Sequence, residues 1–247
     1  ISDERFNVVL VVREGWEDGN ISNNYQSSKN ICERHFFARR QTEFDFFGNY
    51  LASSKKLFKT YDVRRGLISD EKIAEAVINE DPDLLVCYGT GLIRNSLLEK
   101  YEKRFLNVHL GLSPYYRGSG TNFWPFVNNE IEYVGATFMY MDFGIDTGEI
   151  IHQIRPNIYL GDNIHTIGNR LINDMVQIYG DLIERFDDLT HEKQPISHFE
   201  KVYRDRDFDE ASCVKAYENL NNGLVDNFLL GSKNKNPYLV KNKGLKS

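Results

Sequence analysis

Short, nearly unbroken apolar runs separated by stretches of helical period constrain this chain more than any other feature. Phe6-Asn7-Val8-Val9-Leu10-Val11-Val12 is β-branched and almost continuously apolar, the pattern of a strand buried on both faces. Asp83-Leu84-Leu85-Val86-Cys87 is a second such run, and Leu57 to Val63 is a shorter strand candidate. From Asn30 to Leu51 aromatic residues recur at roughly helical spacing, with His35, Arg39 and Arg40 among them as packing or solvated groups. Ser69-Asp70-Glu71-Lys72 opens another helix, with Ser69 as its N-cap, and Pro82 ends it. Strand, helix and strand in this order predict an α/β protein with an open, mostly parallel twisted sheet and helices on both faces. Asp162 to Phe186 is read as a long helix covering that sheet, because Ile164, Ile167, Leu171, Met175, Ile178 and Leu182 keep the i, i+3, i+4 rule.

The chemistry concentrates between Phe105 and Ile151. Asn107-Val108-His109 closes one apolar run, and Asp142-Phe143-Gly144-Ile145-Asp146-Thr147-Gly148 follows another, Gly135 to Met141. Residues two apart in a strand share a face, so Asn107 and His109 project side by side. A carboxamide and an imidazole so placed, joined by a loop carboxylate, combine a general base with a donor to a carbonyl oxygen. Ligands of open parallel sheets sit at the carboxyl ends of strands, and both the Tyr88-Gly89-Thr90-Gly91-Leu92-Ile93 loop and His109 fall at such ends. Pro114 to Gly120 is read as a turn leading into a helix that begins near Thr121-Asn122-Phe123-Trp124. His152 and His165 are read as incidental to the chemistry. A zinc site would want a closely spaced ligand pair such as His-x-x-x-His, and none is present, so no metal is expected.

These motifs resemble the folate-dependent formyltransferases. That family shows Asn-x-His, then a Pro and an aromatic-Arg-Gly turn, then Asp-x-Gly-x-Asp-x-Gly; here they are Asn107, His109, Pro114, Tyr116-Arg117-Gly118, Asp142, Gly144, Asp146, Thr147 and Gly148. Two departures stand out. The family's Ser-Leu-Leu-Pro is Gly111-Leu112-Ser113-Pro114, so the hydroxyl common two residues beyond the histidine is absent. The family's opening strand and most of its first helix also lack a counterpart before Val8, so the first strand of the Rossmann-like formyltransferase fold is expected to be missing or rearranged.

The resemblance implies 10-formyltetrahydrofolate as cosubstrate. Its pterin would lie against Tyr88, Gly89, Thr90, Gly91, Leu92 and Ile93, with Asp142 and Gly144 from the second loop. His109 would take the proton of an attacking amine, Asn107 would donate to the oxyanion, and Asp146 would orient His109 or relay the proton. Tyr116 and Arg117 would meet the acceptor, although Arg117 equally suits a role tying its loop to neighbouring carbonyls.

Composition narrows the partners. A net charge of −6 argues against a general nucleic-acid binder. No run approaches the ~20 apolar residues of a membrane span and no signal peptide is seen, so no membrane association is expected. Three scattered cysteines form neither a zinc pattern nor a disulfide framework, which suits a reducing, cytoplasmic setting. A catalytic domain over residues 1–190 and a small, partly irregular appendage over 191–247, with a loosely held tail from Ser232, complete the expectation. Formyltransferases acting on initiator tRNA carry a further β-barrel, and the residues after Asp187 lack the strand-turn rhythm of one. The favoured acceptor is therefore a small amine, the amino group of a nucleotide-linked sugar; a homodimer is compatible with the sequence. The rivals are a glycinamide-ribonucleotide formyltransferase, a formyltetrahydrofolate hydrolase and a non-enzymatic folate-binding module.

Overall fold

The computed structural model describes residues 4–15, 30–53, 58–195, 200–231 and 236–245. Most of the Gly- and Asn-rich stretch after Arg13, and the first residues of the tail, lie outside them. The chain runs β1 (Val11–Glu14), α1 (Ile31–Ser53), β2 (Thr60–Val63), α2 (Glu71–Ile78), β3 (Leu85–Tyr88), α3 (Leu97–Lys100), β4 (Phe105–His109), β5 (Tyr116–Gly118), α4 (Trp124–Val127), β6 (Ala136–Tyr140), β7 (Ile150–Ile154), α5 (Ile164–Glu184), β8 (Lys201–Tyr203), α6 (Glu210–Asn221) and α7 (Leu224–Leu229).

The α/β class is as expected. Among the described residues three of the five strand pairings are parallel: β1 with β2, β3 with β4, and β5 with β8. The central four-stranded sheet has the order β3-β4-β6-β7, and both pairings beyond β4 are antiparallel. The sheet therefore changes direction at the strand that carries Asn107 and His109. Alternation along β4 splits its side chains between two cores. Leu106 and Val108 join Phe138, Ile151 and the α5 residues Ile167, Leu171 and Met175 on one side. Phe105 joins Cys87, Ile93, Leu97 and the α2 residues Ile73 and Val77 on the other. Asn107 and His109 share the face of Phe105.

Three expectations need correction. The Phe6–Val12 run becomes a strand only from Val11, and every residue of β1 is half-buried. Its only pairing partner among the described residues is β2, where Arg13 faces Asp62 in register and holds it through two hydrogen bonds of 2.7 and 2.9 Å. Asp70, not Ser69, caps α2: its Oδ1 accepts from the Lys72 amide at 2.9 Å. Ser69 Oγ instead accepts from the Arg94 amide at 2.5 Å, fastening the end of the loop that leaves β3. Finally, Tyr116–Gly118 is no turn but the strand β5, paired in parallel with β8 from far along the chain.

Position 190 does not divide the core. Cys213 and Ala216 of α6 and Leu224 and Val225 of α7 are buried with β4 and β6 in one cluster. The tail is firmly held over its described residues. Val240 and Asn242 are buried, the Asn242 amide donates to His152 Nδ1 at 3.0 Å, and its Nδ2 donates to the carbonyls of Ile151 (2.8 Å) and Thr190 (2.6 Å). An amide side chain satisfies a β7 carbonyl here as another strand would, which a Lys/Asn-rich composition does not announce. Among the described residues no helix is long and apolar enough to cross a membrane.

Candidate active site

The loop after β6 folds back across the face of β4 that bears Asn107 and His109. Three local features let it turn so tightly. Asp142 Oδ1 accepts from the Gly144 amide at 3.0 Å and from Thr147 Oγ1 at 2.8 Å, closing a small ring. A Cβ at Gly148 would overlap the Tyr140 carbonyl oxygen, so only glycine lets the loop leave β6 there. Asp146 adopts φ 51°, a left-handed conformation that Asp tolerates better than most residues.

That conformation brings Asp146 Oδ2 to 3.3 Å from His109 Nδ1, with both side chains largely buried. The same oxygen accepts from the Gly118 amide at 2.9 Å, which fixes the carboxylate from the other side. Gly118 has φ 92°, and a Cβ on it would collide with the Tyr203 carbonyl of β8. His109 Nε2 lies 3.0 Å from the Tyr116 carbonyl and 3.3 Å from Thr121 Oγ1. A carbonyl can only accept, so Nε2 carries a hydrogen, and Nδ1 is the nitrogen that faces Asp146, where a proton can pass between the two.

Asn107 Oδ1 accepts from Cys87 Sγ at 3.2 Å, across the β3–β4 register pair. Burial pushes the Cys87 thiol up to about 12, so it remains a thiol donor at neutral pH. With Oδ1 so engaged, Nδ2 is the end of the carboxamide left to donate to a reacting oxygen.

The other anticipated residues divide. Tyr88, Gly89, Gly91 and Leu92 are exposed and Thr90 is half-buried on the loop that leaves β3, whereas the Ile93 side chain is buried in the core. The Gly91 amide is already taken by Glu14 Oε2 at 2.6 Å. Asp142 and Gly144 shape their loop in the arrangement seen. The Tyr116 side chain is fully buried, donating its hydroxyl to Glu130 Oε2 (2.6 Å) and accepting from Asn128 Nδ2 (2.9 Å), so its carbonyl alone reaches the site. Arg117 pairs with Glu200 at 2.6 Å, and its buried Nε has no hydrogen-bond partner among the described residues.

A family model described as formyl transferase matches residues 49–183, more than half of the chain, and that range holds Cys87, Asn107, His109, Gly118 and Asp146. The chain belongs to the formyl transferase family. Among curated relatives, a methionyl-tRNA formyltransferase of Desulforamulus reducens is 33% identical over 115 residues, 47% of this chain and 36% of that protein. Another, from Alkaliphilus oremlandii, is 29% identical over 154 residues, 62% of this chain and 48% of that protein. The chain thus spans less than half the length of either. Two solved structures share the fold: the formyltransferase PseJ of Anoxybacillus kamchatkensis (TM-score 0.50, 19% identity, 80% of this chain and 87% of that one) and Rv3404c of Mycobacterium tuberculosis, a candidate sugar N-formyltransferase (TM-score 0.51, 19% identity, 82% and 77%).

Several residues at the formyl transferase site carried no signal in the sequence. Gln194 Nε2 donates to the carbonyls of Asp146 (2.7 Å) and Gly148 (2.9 Å), clasping the loop after β6 from the segment after α5. Glu14 reaches both Gly91 and Gly66. Cys87 could be found as the strand neighbour of Asn107 once β3 and β4 are paired in parallel; Gln194 and Glu14 are isolated polar residues whose partners lie far along the chain.

Proposed function

We propose that this chain transfers a formyl group from 10-formyltetrahydrofolate to a primary amine, the amine being that of a nucleotide-linked amino sugar. The observation that carries the reading is the 3.3 Å approach of His109 Nδ1 to Asp146 Oδ2, on the β4 face shared with Asn107.

The residues present fit the folate. Tyr88 and Leu92 on the loop after β3, and Phe143 on the loop after β6, are exposed apolar side chains suited to a flat heterocycle. Gly89 leaves open space where a Cβ would stand. Bound there, 10-formyltetrahydrofolate would supply the activated formyl carbon. Asn107 Nδ2 donates to the formyl oxygen as negative charge develops on it. The His109–Asp146 pair takes the proton that the amine sheds on bonding to that carbon, and can return one to the departing nitrogen. Gly118 and Gln194 keep the carboxylate and its loop in place meanwhile.

Two considerations favour a sugar nucleotide. The net charge of −6 suits a small acceptor better than a polyanionic tRNA. The fold neighbour PseJ is described in complex with UDP-4,6-dideoxy-4-formamido-L-AltNAc and tetrahydrofolate. The test supplies 10-formyltetrahydrofolate with amino-sugar nucleotides, glycinamide ribonucleotide and methionyl-tRNA in parallel. Formylation of the sugar is the expected result. Formate released with no amine present indicates a hydrolase, and folate binding without turnover indicates a binding module. His109→Ala and Asn107→Ala should each lower turnover ~100-fold or more while folate binding persists; near-normal turnover in either removes this mechanism.

A further inference from the structure

The edge of His109 that faces away from Asp146 is built from two residues that no role above accounts for. Thr121 Oγ1 lies 3.3 Å from His109 Nε2 and donates its own hydrogen to the Leu110 carbonyl. A hydroxyl has one hydrogen, so toward Nε2 this oxygen is an acceptor. Both the ring edge and Thr121 are buried. The space they share is the space a side chain at position 111 would fill: a Cβ on Gly111 would sit 2.5 Å from His109 Nε2 and 2.8 Å from Thr121 Oγ1. Gly111 therefore vacates room for the imidazole edge, and Thr121 brings a hydroxyl to it from twelve residues beyond the histidine.

We propose that Thr121 is a positioning residue for His109: with the Tyr116 carbonyl it holds the hydrogen on Nε2, so that Nδ1 is the one nitrogen left to exchange a proton with Asp146. A buried imidazole otherwise has two tautomers and can flip about its χ2 axis. Two acceptors converging on Nε2 keep a hydrogen there, so the mobile proton is the one shared across the 3.3 Å between Nδ1 and Asp146 Oδ2. The proposal rests on the formyl-transfer reading for its kinetic consequence, but not for its spectroscopic one.

The test uses the whole chain labelled with 15N in its histidines. Thr121→Val keeps the side-chain shape and removes the acceptor; Thr121→Ser keeps the hydroxyl. In the parent, the His109 Nε2 resonance should remain of the protonated type across neutral pH. Thr121→Val should shift it toward an average of tautomers and lower kcat about tenfold, with KM within about twofold. Thr121→Ser should restore both. Gly111→Ala supplies a second route should the valine variant fail to fold, because its methyl displaces the ring and should move the same resonance. Unchanged ring resonances and kcat in Thr121→Val overturn the proposal, as does Thr121→Ser behaving like Thr121→Val, or Gly111→Ala leaving the resonance unmoved. The ring resonances are read without substrate. Resonances that respond as expected in a protein that formylates no amine would defeat the functional reading and leave this assignment standing.

Discussion

Cys87 shows how much of this site is decided by single atoms. Its thiol, kept protonated by burial, engages Asn107 Oδ1 and so leaves Nδ2 for the formyl oxygen in the proposed reaction. Cys87→Ala should therefore lower kcat roughly five- to tenfold, the worth of about one hydrogen bond, with KM little changed. Steady-state kinetics of the alanine and serine variants checks this, since serine keeps a donor. The glycines of the loop have equally specific reasons: position 148 lies against the Tyr140 carbonyl and position 118 against that of Tyr203. The Asn-x-His and Asp-x-Gly-x-Asp-x-Gly residues were legible in the sequence because each motif is local. Tyr116 was misread as a substrate contact, since nothing local reveals that its hydroxyl is spent on Glu130 and Asn128.

At the scale of elements, α1, α5 and α6 meet around two histidines. His35 Nδ1 lies 3.1 Å from Tyr217 Oη, which is 3.4 Å from His165 Nε2, and the two imidazole centroids are 4.7 Å apart. Burial, with the neighbouring ring and Arg39 adding to it, lowers His35 from 6.5 to about 3; burial and Arg39 lower His165 to about 4, with Glu43 opposing. Both are neutral in the fold, while the unfolded chain binds protons from about pH 6.5 downward. The penalty is absent above that pH and grows as pH falls toward the folded values. At pH 5 it reaches at most roughly 2 kcal/mol per histidine. Urea unfolding at pH 7 and pH 5 should show the parent losing more stability than His35→Phe; equal losses would exclude these histidines as the cause. The helical period had marked α1 and α5, but only their packing makes the two imidazoles neighbours.

For the whole molecule, the segment after α5 is part of the fold. Glu192 exchanges two 2.8 Å backbone hydrogen bonds with Ile150, β8 pairs with β5, and Asn242 donates to the edge of β7 at Ile151. Asn242→Ala would leave the Ile151 and Thr190 carbonyls without their amide donor, two losses of ~1–3 kcal/mol each before relaxation. We expect a loss of about 2–4 kcal/mol in denaturant midpoint terms, while a change below ~0.5 kcal/mol would show that the tail contributes little. An exposed Asn on this tail would give only the smaller figure, so the measurement decides whether the tail is held as described.

Sequence alone determined the α/β class, the strand pairing Asn107 with His109 on one face, and the glycine-rich loop that brings a carboxylate, because period, β-branching and turn chemistry are properties of neighbours along the chain. The tertiary structure decided what those motifs touch: that β4 is where the sheet reverses, that Cys87 and Thr121 orient the amide and the imidazole, and that Gln194 and Asn242 bind the later segment to the core. Such contacts join residues from 12 to 91 positions apart through a few hydrogen bonds each. No local pattern encodes them; they exist only once the sheet and its helices are packed.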